Sequence, residues 1–159
     1  MVIAQVIGNL SIGGAERLFV NLCNALDEDR VVVVLVGEAD DEPNLLTDLR
    51  DDIEIHRLRV RKRSWLRDVR ALARLFRDAG CDVAHTHMFW PNLYGSLAAR
   101  IAGIPCVTSE HGRNEWKSRW HRWLEAHVIS SVAKARLCVS QDILTRRHEV
   151  DGVPMRLLQ

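Results

Sequence analysis

Three histidines and a pair of glycines are the residues of this chain best suited to chemistry. His85 and His87 flank Thr86, so in an extended segment their imidazoles share one face. Two histidines at that spacing can grip a metal, with His111 or Glu110 as a third ligand. The plainer role for histidines inside a strand is a neutral ring bonded to a carbonyl, and no metal is expected here. His87 closes its segment and is the better placed for proton transfer, because an unperturbed imidazole titrates near neutrality. A hydrogen-bonded structural role is the alternative for His87 and for His111. The stretch Ser11-Ile12-Gly13-Gly14-Ala15-Glu16-Arg17 offers a second chemistry. Paired glycines let the backbone turn tightly and let a ligand approach the amides, and the positive end of a following helix suits phosphate. A turn that merely needs glycine would look the same.

Alternating strands and helices are expected to position these residues. Val2–Ile7 is short, apolar and β-branched, and predicts a buried strand before the glycine turn. Leu18, Phe19, Leu22, Cys23 and Leu26 recur at helical spacing after it. Val31–Val36 predicts a strand buried on both faces, Asn44–Arg50 a short helix, and Ile53–Leu58 a third strand. Trp65, Val69, Leu72 and Phe76 mark a helix stopping near Gly80. Asp82–His87 is strand four, Pro91–Ala102 a helix ended by Gly103, and Pro105–Ser109 strand five. A longer helix is expected from Glu115 to Lys134, then strand six at Leu137–Ser140, a short helix at Gln141–Glu149 and a further strand near Met155–Leu158.

That alternation specifies an α/β fold, an open and mainly parallel sheet of about six to seven strands with helices on both faces. The 159 residues suit one domain spanning 1–159, and the abrupt end after an apolar segment suggests a fragment or truncated product. Apolar content of 47% and charged content of 27% fit a soluble globular chain, and no apolar run approaches the roughly 20 residues of a membrane span. The amino terminus lacks the layout of a secretory signal, so a cytoplasmic location is expected. Cys23, Cys81, Cys106 and Cys138 are scattered among apolar segments and read as reduced, buried thiols.

Open parallel sheets bind ligands beyond the carboxyl ends of their strands, where the strand order reverses. With right-handed crossovers and the order 3-2-1-4-5-6, strands one and four flank that point. The Gly13-Gly14 turn, His87 with Trp90 and Asn92 behind it, Glu110 and His111, and Ser140 all then gather on one edge. These form the candidate cleft.

The formal charge of +1 hides a segregation. Eleven acidic residues lie between Asp27 and Glu54, and nine basic ones between Arg57 and Arg77. Arg61, Lys62 and Arg63 lead into a helix whose Arg67, Arg70, Arg74 and Arg77 form a stripe. A solvated crossover helix explains that stripe, and attraction to anionic lipid headgroups is the sharper reading. Trp116, Trp120 and Trp123, with Arg119 and Arg122 adjacent, fit a core face, a membrane interface or an acceptor groove. Nucleic acid is not expected as a partner, because the chain carries no binding motif and is not basic overall.

Taken together, Gly13-Gly14-Ala15-Glu16-Arg17, Asp82-Val83-Ala84-His85-Thr86-His87, Gly103-Ile104-Pro105, Thr108-Ser109-Glu110-His111-Gly112 and Cys138-Val139-Ser140-Gln141 resemble the amino-terminal, Rossmann-like domain of a GT-B glycosyltransferase of family 4. The resemblance implies sugar transfer from a nucleotide-sugar donor with retained configuration, no cofactor and no required metal. It implies that Gly13 and Gly14 cradle the donor diphosphate, that His87 sits beside the reacting sugar, and that Glu110 and His111 line the cleft. It implies a glycan or lipid-linked acceptor, which would suit the arginines and a peripheral place on the inner face of the cell membrane. It also implies a second, donor-binding domain that this chain lacks, so the chain is expected to be an acceptor-side half with little activity alone. Two other classes stay open, a dinucleotide-binding oxidoreductase domain and a non-catalytic membrane module. The first needs Gly-x-Gly-x-x-Gly after strand one, and only Gly8, Gly13 and Gly14 are present there.

Overall fold

The structure, a computed structural model, describes residues 1–38, 43–61, 63–112, 115–145 and 156–157. Seven strands form one sheet: β1 (Val2–Ile7), β2 (Arg30–Leu35), β3 (Glu54–Arg57), β4 (Val83–His87), β5 (Cys106–Glu110), β6 (Ala135–Cys138) and β7 (Arg156–Leu157). Their order is β3-β2-β1-β4-β5-β6-β7, and all six pairings are parallel. The order expected for the first six strands is therefore the one observed, with β1 and β4 adjacent at the reversal.

The valine-rich run of β2 and the apolar β1 are buried on both faces, as parallel central strands must be. On one face Ala4, Val6, Val32 and Val34 pack with Val69, Leu72 and Phe76 of α2 (Trp65–Asp78) and Ala98 and Ala99 of α3 (Phe89–Ala102). On the other, Ile7, Val31, Val33 and Leu35 meet Phe19, Val20 and Cys23, the apolar stripe of α1 (Gly14–Ala25). A side chain at Gly95 of α3 would put its Cβ 2.4 Å from Cγ2 of Thr86. Thr86 cannot turn aside, since its hydroxyl donates to Asn92 Oδ1 at 2.7 Å. Glycine is what lets α3 lie against β4.

Both glycine stops have a physical cause. Gly80 and Gly103 adopt φ of 68° and 83°, the left-handed region that closes a helix at low cost for glycine. At Gly103 the bonds from its own N–H and that of Ile104 reach back to Ala99 O at 2.9 and 3.1 Å.

Three elements differ from expectation. Asn44–Arg50 holds a single 3₁₀ turn at Leu46–Asp48 rather than a helix, its entry pinned by Asn44 Oδ1 accepting from the Leu46 amide. The long helix expected from Glu115 to Lys134 starts at Arg119, because Ser118 and His121 form a reciprocal capping box. It runs as α4 (Arg119–Leu124), a π turn (Glu125–Ile129) and α5 (Ser130–Val132). The π turn carries Ser130 round so that its amide and its hydroxyl both bond Glu125 O. Strand six begins two residues earlier than expected, at Ala135. Residues 141–145 are helical, and the rest of the expected helix lies outside the described residues.

Cys23, Cys81, Cys106 and Cys138 are free and buried, and burial pushes the thiols of Cys23 and Cys106 up to about 12. No described helix is long and apolar enough to cross a membrane.

Candidate functional site

The parallel sheet sends α1, α3 and the β5–α4 segment out from one carboxyl edge, and a cavity of about 490 Å³ opens there. Gly8, Asn9, Ala15 and Glu16 line its α1 side, with Val36, Gly37 and Val60 beside them. Met88, Phe89, Trp90 and Tyr94 come from the start of α3, and Glu110, His111, Gly112 and Trp116 from the segment after β5. Gly37 matters sterically: a Cβ there would lie 2.7 Å from Gly8 O.

Among the residues singled out for the cleft, Trp90, Glu110 and His111 line the cavity. His87 does not. It is 1% exposed, enclosed by Phe19 edge-on at 5.0 Å, His85 at 4.1 Å and His111 at 5.2 Å between ring centroids. Buried that way, His87 does not reach the cavity directly and meets it only through the His111 ring. Asn92 is fully buried behind the cavity, where its amide donates to Ser109 O at 3.1 Å and Glu110 Oε1 at 3.2 Å. Ser140 caps the helical turn at 141–145, its Oγ accepting from the Ile143 amide at 3.3 Å, and is not a lining residue. Gly13 is the N-cap of α1 in an extended conformation (φ −163°, ψ 167°), so no left-handed turn demands glycine. The lining falls on the two residues after the glycine pair, Ala15 and Glu16, and the Glu16 carboxylate folds back over the Gly13 Cα.

The imidazoles form an ordered chain. His87 Nε2–H donates to Gln5 Oε1 at 2.8 Å, which leaves His87 Nδ1 as a lone pair. His111 Nε2–H donates to that lone pair at 3.0 Å. A neutral His111 then carries its remaining lone pair on Nδ1, a buried atom with no protein partner among the described residues. A glutamine two residues away thus sets the tautomer of a ring on the cavity wall, whose Nδ1 is itself covered.

Burial keeps all three rings neutral. It lowers His85 to about 4, with His111 adding to the effect, and His85 Nε2 shares a 2.7 Å bond with Ser109 Oγ. It lowers His87 well below the ordinary value, helped by His85 and His111. It lowers His111 too, against the opposing pull of Glu110. Each ring therefore binds a proton more readily in the unfolded chain than in the fold. Between about pH 6.5 and 4 the unfolded chain holds more protons, and stability rises with pH. His85 alone removes on the order of 3 kcal/mol by pH 4. Urea unfolding midpoints are expected to drop steeply as the buffer is taken from about pH 7 to 4.5, and a flat profile would show the imidazoles to be solvated. No group of three or more His, Cys, Asp and Glu among the described residues is placed to hold a metal ion.

Glu110 belongs to a second structure, which the sequence reading did not anticipate. Lys117 Nζ lies 3.3 Å from Glu110 Oε2 and 3.1 Å from Glu125 Oε2, and Glu125 pairs in turn with Arg136. All four residues are buried, between 1% and 6% exposed. Two positive and two negative charges cancel, which is the condition under which buried ions are tolerated. Lys117 also stands 4.8 Å over the Phe89 ring. The network ties the segment after β5 to the π turn and fixes Glu110 at the cavity wall. Beside it Met88, at φ 73° and ψ 165°, occupies a region that is nearly glycine's alone. Strain of about 1–3 kcal/mol is concentrated where β4 turns into α3 at the cavity mouth.

A doubly wound parallel sheet with an open cavity across its β1/β4 reversal defines one Rossmann-like half of a GT-B fold. The chain belongs to Glycosyltransferase Family 4, whose model matches residues 12–157. Its structure is similar to that of Anabaena HepE, solved in complex with UDP, at a TM-score of 0.82 and 16% identity, over 99% of this chain and 43% of that one. MurG of Acinetobacter baumannii superposes at a TM-score of 0.67 and 15% identity, over 99% of this chain and 44% of that one. A glycosyltransferase of Rickettsia africae superposes at 0.78 and 16%, over 99% and 41%. At these identities the likeness is one of fold, and the chain spans less than half of each relative. No curated protein sequence matches the chain.

Proposed function

We propose that this chain is the acceptor-side half of a retaining glycosyltransferase that moves a sugar from a nucleotide-sugar donor to a glycan or lipid-linked acceptor. The single observation that carries the reading is the cavity itself, where the amino end of α1, Glu110 and His111 converge. HepE, of similar fold, is solved with UDP and with UDP-glucose. A donor diphosphate fits the α1 end of the cavity, where the helix dipole favours anions once the Glu16 carboxylate swings off Gly13. His111 lines the wall next to the bound sugar or acceptor and accepts a proton from its hydroxyl once the covered Nδ1 is exposed, while His87 and Gln5 hold its tautomer. Glu110, buried and pinned by Asn92 and Lys117, holds the same wall from behind. The chemistry needs no cofactor, since the donor is a substrate. A donor-binding half, in cis or in trans, completes the cleft, and the cytoplasm is where nucleotide sugars are drawn on.

The purified chain is expected to turn over no nucleotide sugar alone and to support transfer when a donor-binding half is supplied. Turnover by the chain alone would overturn the half-enzyme reading.

A further inference from the structure

Among the described residues the cavity lining carries two carboxylates, Glu16 and Glu110, and no lysine or arginine. Glu110 is answered from behind by Lys117. Glu16 is not answered, and makes no hydrogen bond or ion pair among the described residues. Its sequence neighbour Arg17 is engaged by Asp48. The basic run after β3 does not serve it either. Arg61, Arg63, Arg67 and Arg70 are exposed around the start of α2 and line no part of the cavity, and Lys62 lies outside the described residues. A wall that is otherwise apolar or neutral thus keeps one uncompensated carboxylate.

The place of that carboxylate gives its cause. Glu16 is the third residue of α1, so Gly14, Ala15 and Glu16 all precede the first helical bond, from the Arg17 amide to Gly13 O at 2.9 Å. Their N–H groups have no acceptor within the helix, and no side chain caps the helix by a hydrogen bond. The positive end of α1 therefore favours an anion beside it. The chain supplies one itself, because the Glu16 carboxylate turns back over Gly13. Gly13 is extended, so its backbone does not require glycine. A Cβ there would lie 3.3 Å from the Glu16 Cδ, and closer still to its Oε2. The side chain missing at Gly13 is the room the carboxylate occupies.

We propose that Glu16 is an autoinhibitory carboxylate, an internal substitute for phosphate that a phosphate-bearing ligand must displace from the α1 end of the cavity. This gating rests on the reading that a nucleotide sugar enters the cavity, and adds what opposes its entry. A diphosphate brought to the α1 end meets a like charge already there, so it binds more weakly than it would to the bare helix end. A ligand without phosphate does not compete with the carboxylate and gains nothing from its removal. The same residue supports the fold, since an acid in the first turn of a helix is stabilising. Removing Glu16 therefore lowers stability and raises affinity for phosphate.

Amide-shift titrations of the whole ¹⁵N-labelled chain, and of its Glu16→Ala and Glu16→Gln variants, with UDP and with uridine give affinity and place together. UDP is expected to bind both variants about tenfold more tightly than the wild type, while uridine treats all three alike. The urea midpoints of the variants are expected to fall slightly. Glutamine keeps the reach of the side chain without its charge. A gain with alanine that is absent with glutamine would make Glu16 a steric plug and overturn the proposal, as would a uridine gain matching that of UDP. Equal or weaker UDP binding by both variants, with the amides of Ala15 and His111 still shifting, would overturn the gate and leave the cavity reading standing. UDP that shifts neither amide in any of the three proteins would remove that reading and the gate together.

Discussion

Replacing Lys117 by methionine is expected to destabilise the chain by about 3–5 kcal/mol, the cost of breaking a buried ion pair from one side. Methionine fills similar volume, so the loss is electrostatic rather than a cavity effect. Lys117 is 3% exposed and stands between the carboxylates of Glu110 and Glu125. Without the ammonium, Glu125 keeps Arg136 and Glu110 is left buried without its lysine. Stability of this order is a large share of the 5–15 kcal/mol typical of a domain, so the variant should approach unfolding at ordinary temperature. The double variant Lys117→Met/Glu110→Gln removes the stranded charge and is expected to regain a substantial part of the loss. Equilibrium unfolding in urea of the three proteins measures this. Additive losses would show that Lys117 and Glu110 do not interact.

Replacing His111 by alanine, in the enzyme completed by its donor-binding half, is expected to lower kcat by about 10²–10⁴, the range for loss of a positioned proton acceptor. His111 lines the cavity and is held by one hydrogen bond, so folding stability should change far less than it does for Lys117→Met. Gln5→Leu tests the chain behind it. Gln5 fixes the proton on His87 Nε2, and without it the tautomers of His87 and His111 are no longer set. The expected result is a lower kcat with KM little changed and an altered pH profile. A stability loss with an unaltered profile would reduce Gln5 to a packing residue.

Sheet order was legible because valine-rich strands alternate with amphipathic helices, and right-handed crossovers then leave few topologies. The gathering of Glu110, His111 and the α1 start followed from that order. What was not legible was depth. His87 ends its strand in sequence, yet Phe19 of α1 closes over it, and a contact 68 positions away leaves no mark on local pattern. The spacing of Trp116, Trp120 and Trp123 imitates a helix face, and only the Ser118–His121 pair signalled the later start. Histidine is an unusual partner in a capping box, so that signal was weak. Lys117 sat among exposed residues in sequence and gave no hint of burial. Its partners lie 7 positions before it, at a strand end, and 8 after it, in a π turn that no periodicity predicts. Met88 likewise reads as ordinary until its backbone is seen at φ 73°.

The central claim is that a nucleotide sugar binds in the carboxyl-edge cavity between α1 and the β5 end. Amide chemical-shift mapping of the ¹⁵N-labelled chain during a titration with UDP-glucose tests it most directly. The account predicts that Ala15, Glu16, His111 and Gly112 move first and most, with amides at the opposite, amino-terminal edge of the sheet unmoved. Shifts confined to that far edge, around Arg30, Glu54 and Ala79, would contradict it.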